Sequence, residues 1–251
     1  MAEKYYSLDC GGLSFSYSPL YQETLRYFAK YITKCSEETC GSIIRITPEY
    51  MRENRWLVDE KEEYQPFIEF QCLMLATGNT LLAHNRALFH GAAFIWNGKA
   101  WIITAPSGIG KTTQLRHLCT CFPGEVEVLN GDKPFLECRE DRSVWVHSSP
   151  WRGKEKLGKP DLHAPLGGII LLERGDCNEI IRLSAEEAVR PLFVEFVSFP
   201  ECEEQIKGQA QILRQILNSV PVWKLVNVGD EDSARITLQN LESYLEGCKD
   251  A

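Results

Sequence analysis

Trp101-Ile-Ile-Thr-Ala-Pro-Ser-Gly-Ile-Gly-Lys-Thr-Thr113 is the stretch on which the fold turns. Trp101 to Thr104 is apolar and β-branched enough for a buried strand. Pro106-Ser107-Gly108-Ile109-Gly110 breaks it, and Lys111 to Cys121 reads as a helix. A triphosphate needs many donors at close range and no bulky side chain in the way. Glycines let backbone N–H groups curl around an anion, and the new helix adds its positive end. Lys111 is then placed to reach the β and γ oxygens, and the Thr112 hydroxyl to ligate Mg²⁺. Ser107, Gly108, Ile109, Gly110, Lys111, Thr112 and Thr113 are therefore the candidate residues for binding ATP. A chance Gly-x-Gly-Lys-Ser/Thr occurs in roughly 1% of chains this long, and the strand-before, helix-after setting lowers that. The first glycine of the usual Walker A spacing is Ala105 here.

Outward from the loop, Asn97-Gly98 lies between Ala92–Trp96 and Ala100–Thr104, which predicts a hairpin with a type I′ turn. Phe67 to Met74 reads as another buried strand. Downstream, a strand at Glu125–Leu129 leads into Asn130-Gly131-Asp132. Phe135–Cys138 and Val144–His147 flank a polar turn, a second hairpin, and Gly168–Leu172 reads as a fully buried strand. Ser184 and Glu187 form a capping box for a helix running to Val197. Amphipathic helices at Glu201–Asn218 and Asp232–Cys248 enclose a strand at Val222–Val228. Hairpins and helical connections together predict an α/β fold with a mixed sheet and flanking helices.

The first 65 residues differ in character and are expected to form a small N-terminal lobe, with residues 66–251 as the catalytic-sized domain. Leu20, Leu25, Phe28 and Ile32 recur at helical spacing. Ser42–Thr47 alternates like a half-buried strand, Pro48–Asn54 starts a short helix, and Glu60–Gln65 is a charged connector.

Composition excludes several classes. The 251 residues are 44% hydrophobic and 25% charged, which is globular rather than disordered or fibrous. The net charge of −8 argues against non-specific binding to nucleic acid or an anionic membrane. No apolar run approaches the roughly 20 residues of a membrane helix, and the opening residues lack a secretory pattern. The ten cysteines are scattered without a C-x-x-C pair, so neither a zinc knuckle nor a disulfide scaffold is expected. Reduced thiols in a cytoplasm follow as the expectation.

Several segments resemble the C-terminal kinase domain of HPr kinase/phosphorylase and its relatives, the phosphoenolpyruvate-carboxykinase-like P-loop kinases. They are Phe89-His90-Gly91-Ala92, Ala105–Thr112, Leu129–Asp132, Pro150–Lys154, Ala164–Glu173 and Arg182–Ala188. Together they span about residues 66 to 230. The resemblance implies an ATP- and Mg²⁺-dependent kinase with an acidic pair at the strand end after the loop helix. This sequence has Gly131-Asp132 there, so only Asp132 matches, as metal ligand, proton acceptor or both. Asp132 lies 21 residues beyond Lys111, a natural distance for a neighbouring strand end. His90 falls where the resemblance places a histidine near the transferred phosphate. Arg152 and Lys154 supply cations on a glycine-bearing loop, with Arg152 suited to a two-point contact on phosphate. Trp151 is equally suited to stacking on substrate or packing on the sheet.

The leading expectation is transfer of the γ-phosphoryl of ATP to a hydroxyl, on a serine of a protein or peptide or on a small molecule. Catalytic candidates are Asp132, His90, Arg152 and Lys154, with Thr112 and Asp132 toward the metal. A nucleotide-gated regulator without transfer and a bifunctional kinase/phosphorylase are the alternatives, the second disfavoured by Gly131. The family's ring assemblies leave a homo-oligomer open, and neither nucleic acid nor membrane is expected as a partner.

Overall fold

The computed structural model describes residues 4–35, 43–54 and 64–248. Its first elements are β1 (Tyr5–Asp9), β2 (Ser14–Tyr17), α1 (Leu25–Phe28), β3 (Ile32–Cys35), β4 (Ile43–Ile44), α2 (Pro48–Glu53) and α3 (Gln65–Leu82). Next come β5 (Arg86–Leu88), β6 (Ala92–Trp96), β7 (Lys99–Thr104), α4 (Lys111–Cys121), β8 (Glu127–Asn130), β9 (Phe135–Cys138) and β10 (Val144–His147). The last are β11 (His163–Arg174), β12 (Glu179–Leu183), α5 (Ala185–Phe193), α6 (Glu203–Ser219), β13 (Val222–Asn227) and α7 (Glu231–Gly247).

Asn97 and Gly98 both take positive φ, 50° and 69°, so the two-residue turn closes β6 onto β7 as the sequence predicts. Among the described residues nine strands form one mixed sheet in the order β5-β9-β10-β11-β7-β6-β8, with β13 on β11 and β12 outside β13. β7, β11 and β13 are parallel, and β6 runs antiparallel between β7 and β8. The C-terminal ends of β7, β8, β11 and β13 therefore share one sheet edge with the start of β6. Successive residues point to opposite faces, and both faces are covered. Ile102 and Ile169 pack with Leu192, Ile212 and Ile216 of α5 and α6, whereas Ile103 and Ile170 pack with Leu115, Leu118 and Leu238 of α4 and α7. The Ser184–Glu187 capping box is formed, with Ser184 N–H donating to Glu187 Oε2 at 2.8 Å.

Several local expectations are corrected. Phe67–Met74 is not a strand but part of the 18-residue helix α3. Ile68, Phe70, Leu73, Leu75, Leu81 and Leu82 are all buried, so the helix has no broad solvent face and its period is hidden in a near-continuous apolar run. The helical spacing from Leu20 to Ile32 yields only α1 between two 3₁₀ turns, and Ile32 opens β3 instead. Of Ser42–Thr47 only Ile43 and Ile44 pair, parallel to β2; Ser42 and residues 60–63 of the charged connector lie outside the described residues. The β1–β2 hairpin and β12 are additional strands. β8 is not the neighbour of β7, since β6 separates them. Among the described residues Cys10, Cys72, Cys119, Cys121, Cys138, Cys177, Cys202 and Cys248 are free thiols, and no helix among those residues is long and apolar enough to cross a membrane.

The N-terminal strands form a four-stranded sheet, β3-β1-β2-β4. Leu8, Phe15 and Phe28 share one apolar cluster with Ile68, Phe70 and Leu73 of α3, and with Phe135 and Trp151. One core thus crosses position 65 and reaches the loop after β10. Glu69 fixes this arrangement. Its carboxylate is fully buried and accepts from Leu20 N–H at 2.6 Å, Tyr21 N–H at 3.1 Å and the Thr24 hydroxyl at 2.5 Å. Charge-assisted bonds of this kind stabilise a buried carboxylate only while the donors are all present. Glu69→Ala would strand three donors and is expected to cost about 3 kcal/mol in chemical denaturation; a change below about 0.5 kcal/mol would show that Glu69 does not anchor the lobe.

Candidate functional site

The loop Ala105–Gly110 joins β7 to α4 at the sheet edge where the parallel strands end. Gly108 and Gly110 have φ of +83° and +124°, a region that L side chains rarely adopt. Among the described residues, nothing accepts a hydrogen bond from the N–H groups of Gly108, Gly110, Lys111 or Thr112. The carbonyl side of the loop is held instead by Arg174 at the end of β11, which donates to Ile109 O and Gly108 O at 3.1 Å each. Lys111 is buried and its Nζ donates to Ala105 O at 2.7 Å. Burial pushes its ammonium below the ordinary lysine value, opposed by the negative charges of Asp132 and Glu195. Thr112 is half-buried, and Ser107 and Thr113 are exposed. A cleft of about 310 Å³ adjoins Gly110 and Thr113, bounded by Arg174 and Asn227 from the ends of β11 and β13.

The second half of the site comes from β8. Asn130 is fully buried, and its Oδ1 accepts from Asp132 N–H at 2.9 Å and Lys133 N–H at 2.8 Å. Its Nδ2 donates to the carbonyl and hydroxyl oxygens of Ser149, at 3.0 and 3.1 Å. This Asx turn sets the direction of Asp132. Gly91 N–H donates to Asp132 O at 2.7 Å, joining that turn to the start of β6. One Asp132 oxygen is ion-paired with Lys133 Nζ, and the other lies 3.6 Å from His90 Nε2.

His90 is gripped from its other side by Glu195, whose Oε2 is 2.7 Å from Nδ1. The His90 N–H also donates to the Glu195 carbonyl at 2.7 Å. A carboxylate only accepts, so a proton sits on Nδ1, and Nε2 faces Asp132 at 3.6 Å, beyond direct hydrogen-bond distance. Lys111, His90 and Asp132 are thus brought to one sheet edge, with Glu195 behind the histidine.

The two loop cations separate. Arg152 Nη1 donates to Lys156 O at 3.1 Å and Gly158 O at 2.9 Å, and the guanidinium lies 5.2 Å over the Tyr31 ring. It shapes its own loop and joins that loop to the Tyr31 segment. Lys154 is exposed and, with Asp132, lines a cavity of about 330 Å³. Trp151 is buried, stacked on Phe70 at 5.6 Å, which makes it a core residue rather than a stacking platform for substrate. Among the described residues no group of three His, Cys, Asp or Glu side chains could hold a metal. The Thr112 hydroxyl and Asp132 carboxylate are oxygen donors of the kind Mg²⁺ takes when phosphates and water complete its shell.

Arg174 and Glu195 escape the motif reading, and Asn130 lies within a quoted segment without a role assigned from the sequence. Glu195 leaves one sequence trace, a single carboxylate inside the apolar run Leu192-Phe-Val-Glu-Phe-Val197.

No family model matches this chain, and no curated protein matches it. Among solved structures it is similar to the HPr(Ser) kinase/phosphatase from Coxiella burnetii, at 9% identity over 65% of this chain and 99% of that one, with a TM-score of 0.37. That is a distant structural relationship.

Position 131 has no room for a side chain. A Cβ there would lie 2.9 Å from both the Arg152 carbonyl oxygen and Leu157 Cβ. Gly131→Asp is therefore expected to lower stability by roughly 1–3 kcal/mol through overpacking, read as a fall in melting temperature. An unchanged melting temperature would show that the site has room for the pair.

Proposed function

We propose that this chain is a kinase that transfers the γ-phosphoryl of ATP to a hydroxyl acceptor. The observation carrying this reading is the meeting, at one sheet edge, of unpaired loop N–H groups, buried Lys111 and the Asp132 carboxylate. Ser107 to Thr113 would cradle the phosphates, with Lys111 moving from Ala105 O to the β and γ oxygens. Thr112 and Asp132 would hold Mg²⁺, whose charge would help neutralise that of the phosphates. The acceptor oxygen attacks the γ-phosphorus while the bond to the β-bridging oxygen breaks, releasing ADP. The hydroxyl proton passes to Asp132, which demands little of the base because the transition state is loose. His90, oriented by Glu195, adds an imidazolium beside Asp132 or a neutral acceptor, according to its protonation.

A nucleotide-gated regulator is the second reading. The ion pair between Lys133 and Asp132 favours it, since a carboxylate occupied by a lysine is less free to take a proton.

Mg-ATP is expected to raise the melting temperature of the wild type by mass action, and Lys111→Ala to abolish most of that rise. An equal rise in both proteins would remove the loop from the nucleotide site. In single-turnover assays with labelled ATP, Asp132→Asn should retain nucleotide binding while losing transfer by roughly 10²-fold or more. Equal transfer by the two proteins would dismiss Asp132 as the base, and a wild type that binds ATP without transferring to any hydroxyl would favour the regulator.

A further inference from the structure

We infer that the cavity beside Asp132 selects an acceptor that joins its hydroxyl to a ring-sized apolar group and to an anionic group. This rests on the kinase reading only for the chemistry of the hydroxyl; the selectivity follows from the cavity walls. One wall belongs to the N-terminal lobe and α3. Tyr27 stacks on Phe70 at 5.2 Å and packs against Phe67 at 5.4 Å. Phe70 is buried, whereas Tyr27 and Phe67 remain half-buried at the cavity, so their rings have apolar surface still to cover.

The opposite wall is the loop after β10. Lys154 and Lys156 project from it exposed, with no carboxylate partner among the described residues. Glu155 between them is directed elsewhere, pairing with Arg116 at 2.6 Å. Arg152, bonded to two carbonyls of the same loop, holds the segment carrying both lysines. Among the described residues lining this space Asp132 is the one carboxylate, and Lys133 already pairs with it. The cavity thus has an aromatic side, a cationic side and a carboxylate between them. A neutral or cationic acceptor would leave the two lysines unmatched, whereas an anion complements them.

Size narrows the class further. About 330 Å³ is near the lower limit of small-molecule pockets. It accommodates one ring with a short functional chain, either as a free hydroxy acid or as a serine flanked by an aromatic and an acidic residue in a peptide. The chemistry is the same for both sources.

The test measures binding to the full chain by calorimetry, with and without Mg-ATP. The probes are 3-phenyllactate, its methyl ester, lactate, and a serine peptide with adjacent phenylalanine and glutamate. Phenyllactate or the peptide should bind at least roughly tenfold tighter than the ester or lactate. Lys154→Ala combined with Lys156→Ala, both on an exposed loop, should erase the preference for acid over ester while keeping that for ring over no ring. Phe67→Ala should do the reverse. The tighter of phenyllactate and the peptide identifies the source. Equal affinity for acid and ester, equal affinity for phenyllactate and lactate, or no binding of any probe at millimolar concentration overturns the inference. Phosphotransfer is measured separately on the same probes. Selective binding without transfer would leave the cavity assignment standing and sink the kinase reading; transfer without selectivity would do the opposite.

Discussion

Strand β6, held antiparallel between β7 and β8, decides which residues of this chain can meet. Ala92 pairs with Ile103 and Ala93 with both Ile102 and Asn130, so the residues just before β6 lie level with the ends of both neighbours. His90 is thereby placed between the loop after β7 and the turn after β8. The spacing tolerates little at Gly91, where a Cβ would fall 2.6 Å from Ile102 Cγ2 and 3.1 Å from Ile103 O. A side chain there would lift the start of β6 and, with it, the Gly91 N–H that holds Asp132. Loop, histidine and carboxylate form one unit because a single antiparallel strand spaces them.

The polar groups at this edge stabilise one another at some cost. Lys111 is held in a partly desolvated position where its charge is disfavoured, offset by its hydrogen bond to Ala105 O and by the charges of Asp132 and Glu195. A lysine so placed is poised for a stronger anion than a carbonyl oxygen. Glu195 plays the complementary part: itself buried, it fixes both the ring and the backbone of His90. Lys133 balances Asp132. The result is a site of alternating charge, in which a polyanion would displace existing partners rather than enter an empty field.

What the sequence discloses here follows from how local each signal is. The Asn97-Gly98 turn, the glycine loop and the Ser184 cap act within a few residues, and all three appear in the structure where the sequence puts them. Helix α3 is obscured because its burial is nearly uniform, so length rather than periodicity distinguishes it from a strand. The position of β6 between β7 and β8 is a non-local pairing with no signature in spacing. Glu195 and Arg174 likewise reach the site through tertiary folding, 105 residues from His90 in one case and 65 from Ile109 in the other. Arg152 Nη1 likewise gains two carbonyl partners, Lys156 O and Gly158 O, that its residue type alone does not disclose.

On the proposed reading, the loop from Ser107 to Thr113 holds a triphosphate with its terminal phosphoryl toward Asp132. A crystal structure with Mg²⁺ and a non-hydrolysable ATP analogue tests it most directly. The account predicts phosphate oxygens within hydrogen-bond distance of the backbone nitrogens of Gly108 to Thr112, Lys111 Nζ released from Ala105 O onto the β and γ oxygens, and the γ-phosphate facing Asp132. A nucleotide bound elsewhere, or one bound while Lys111 still donates to Ala105 O, would contradict it.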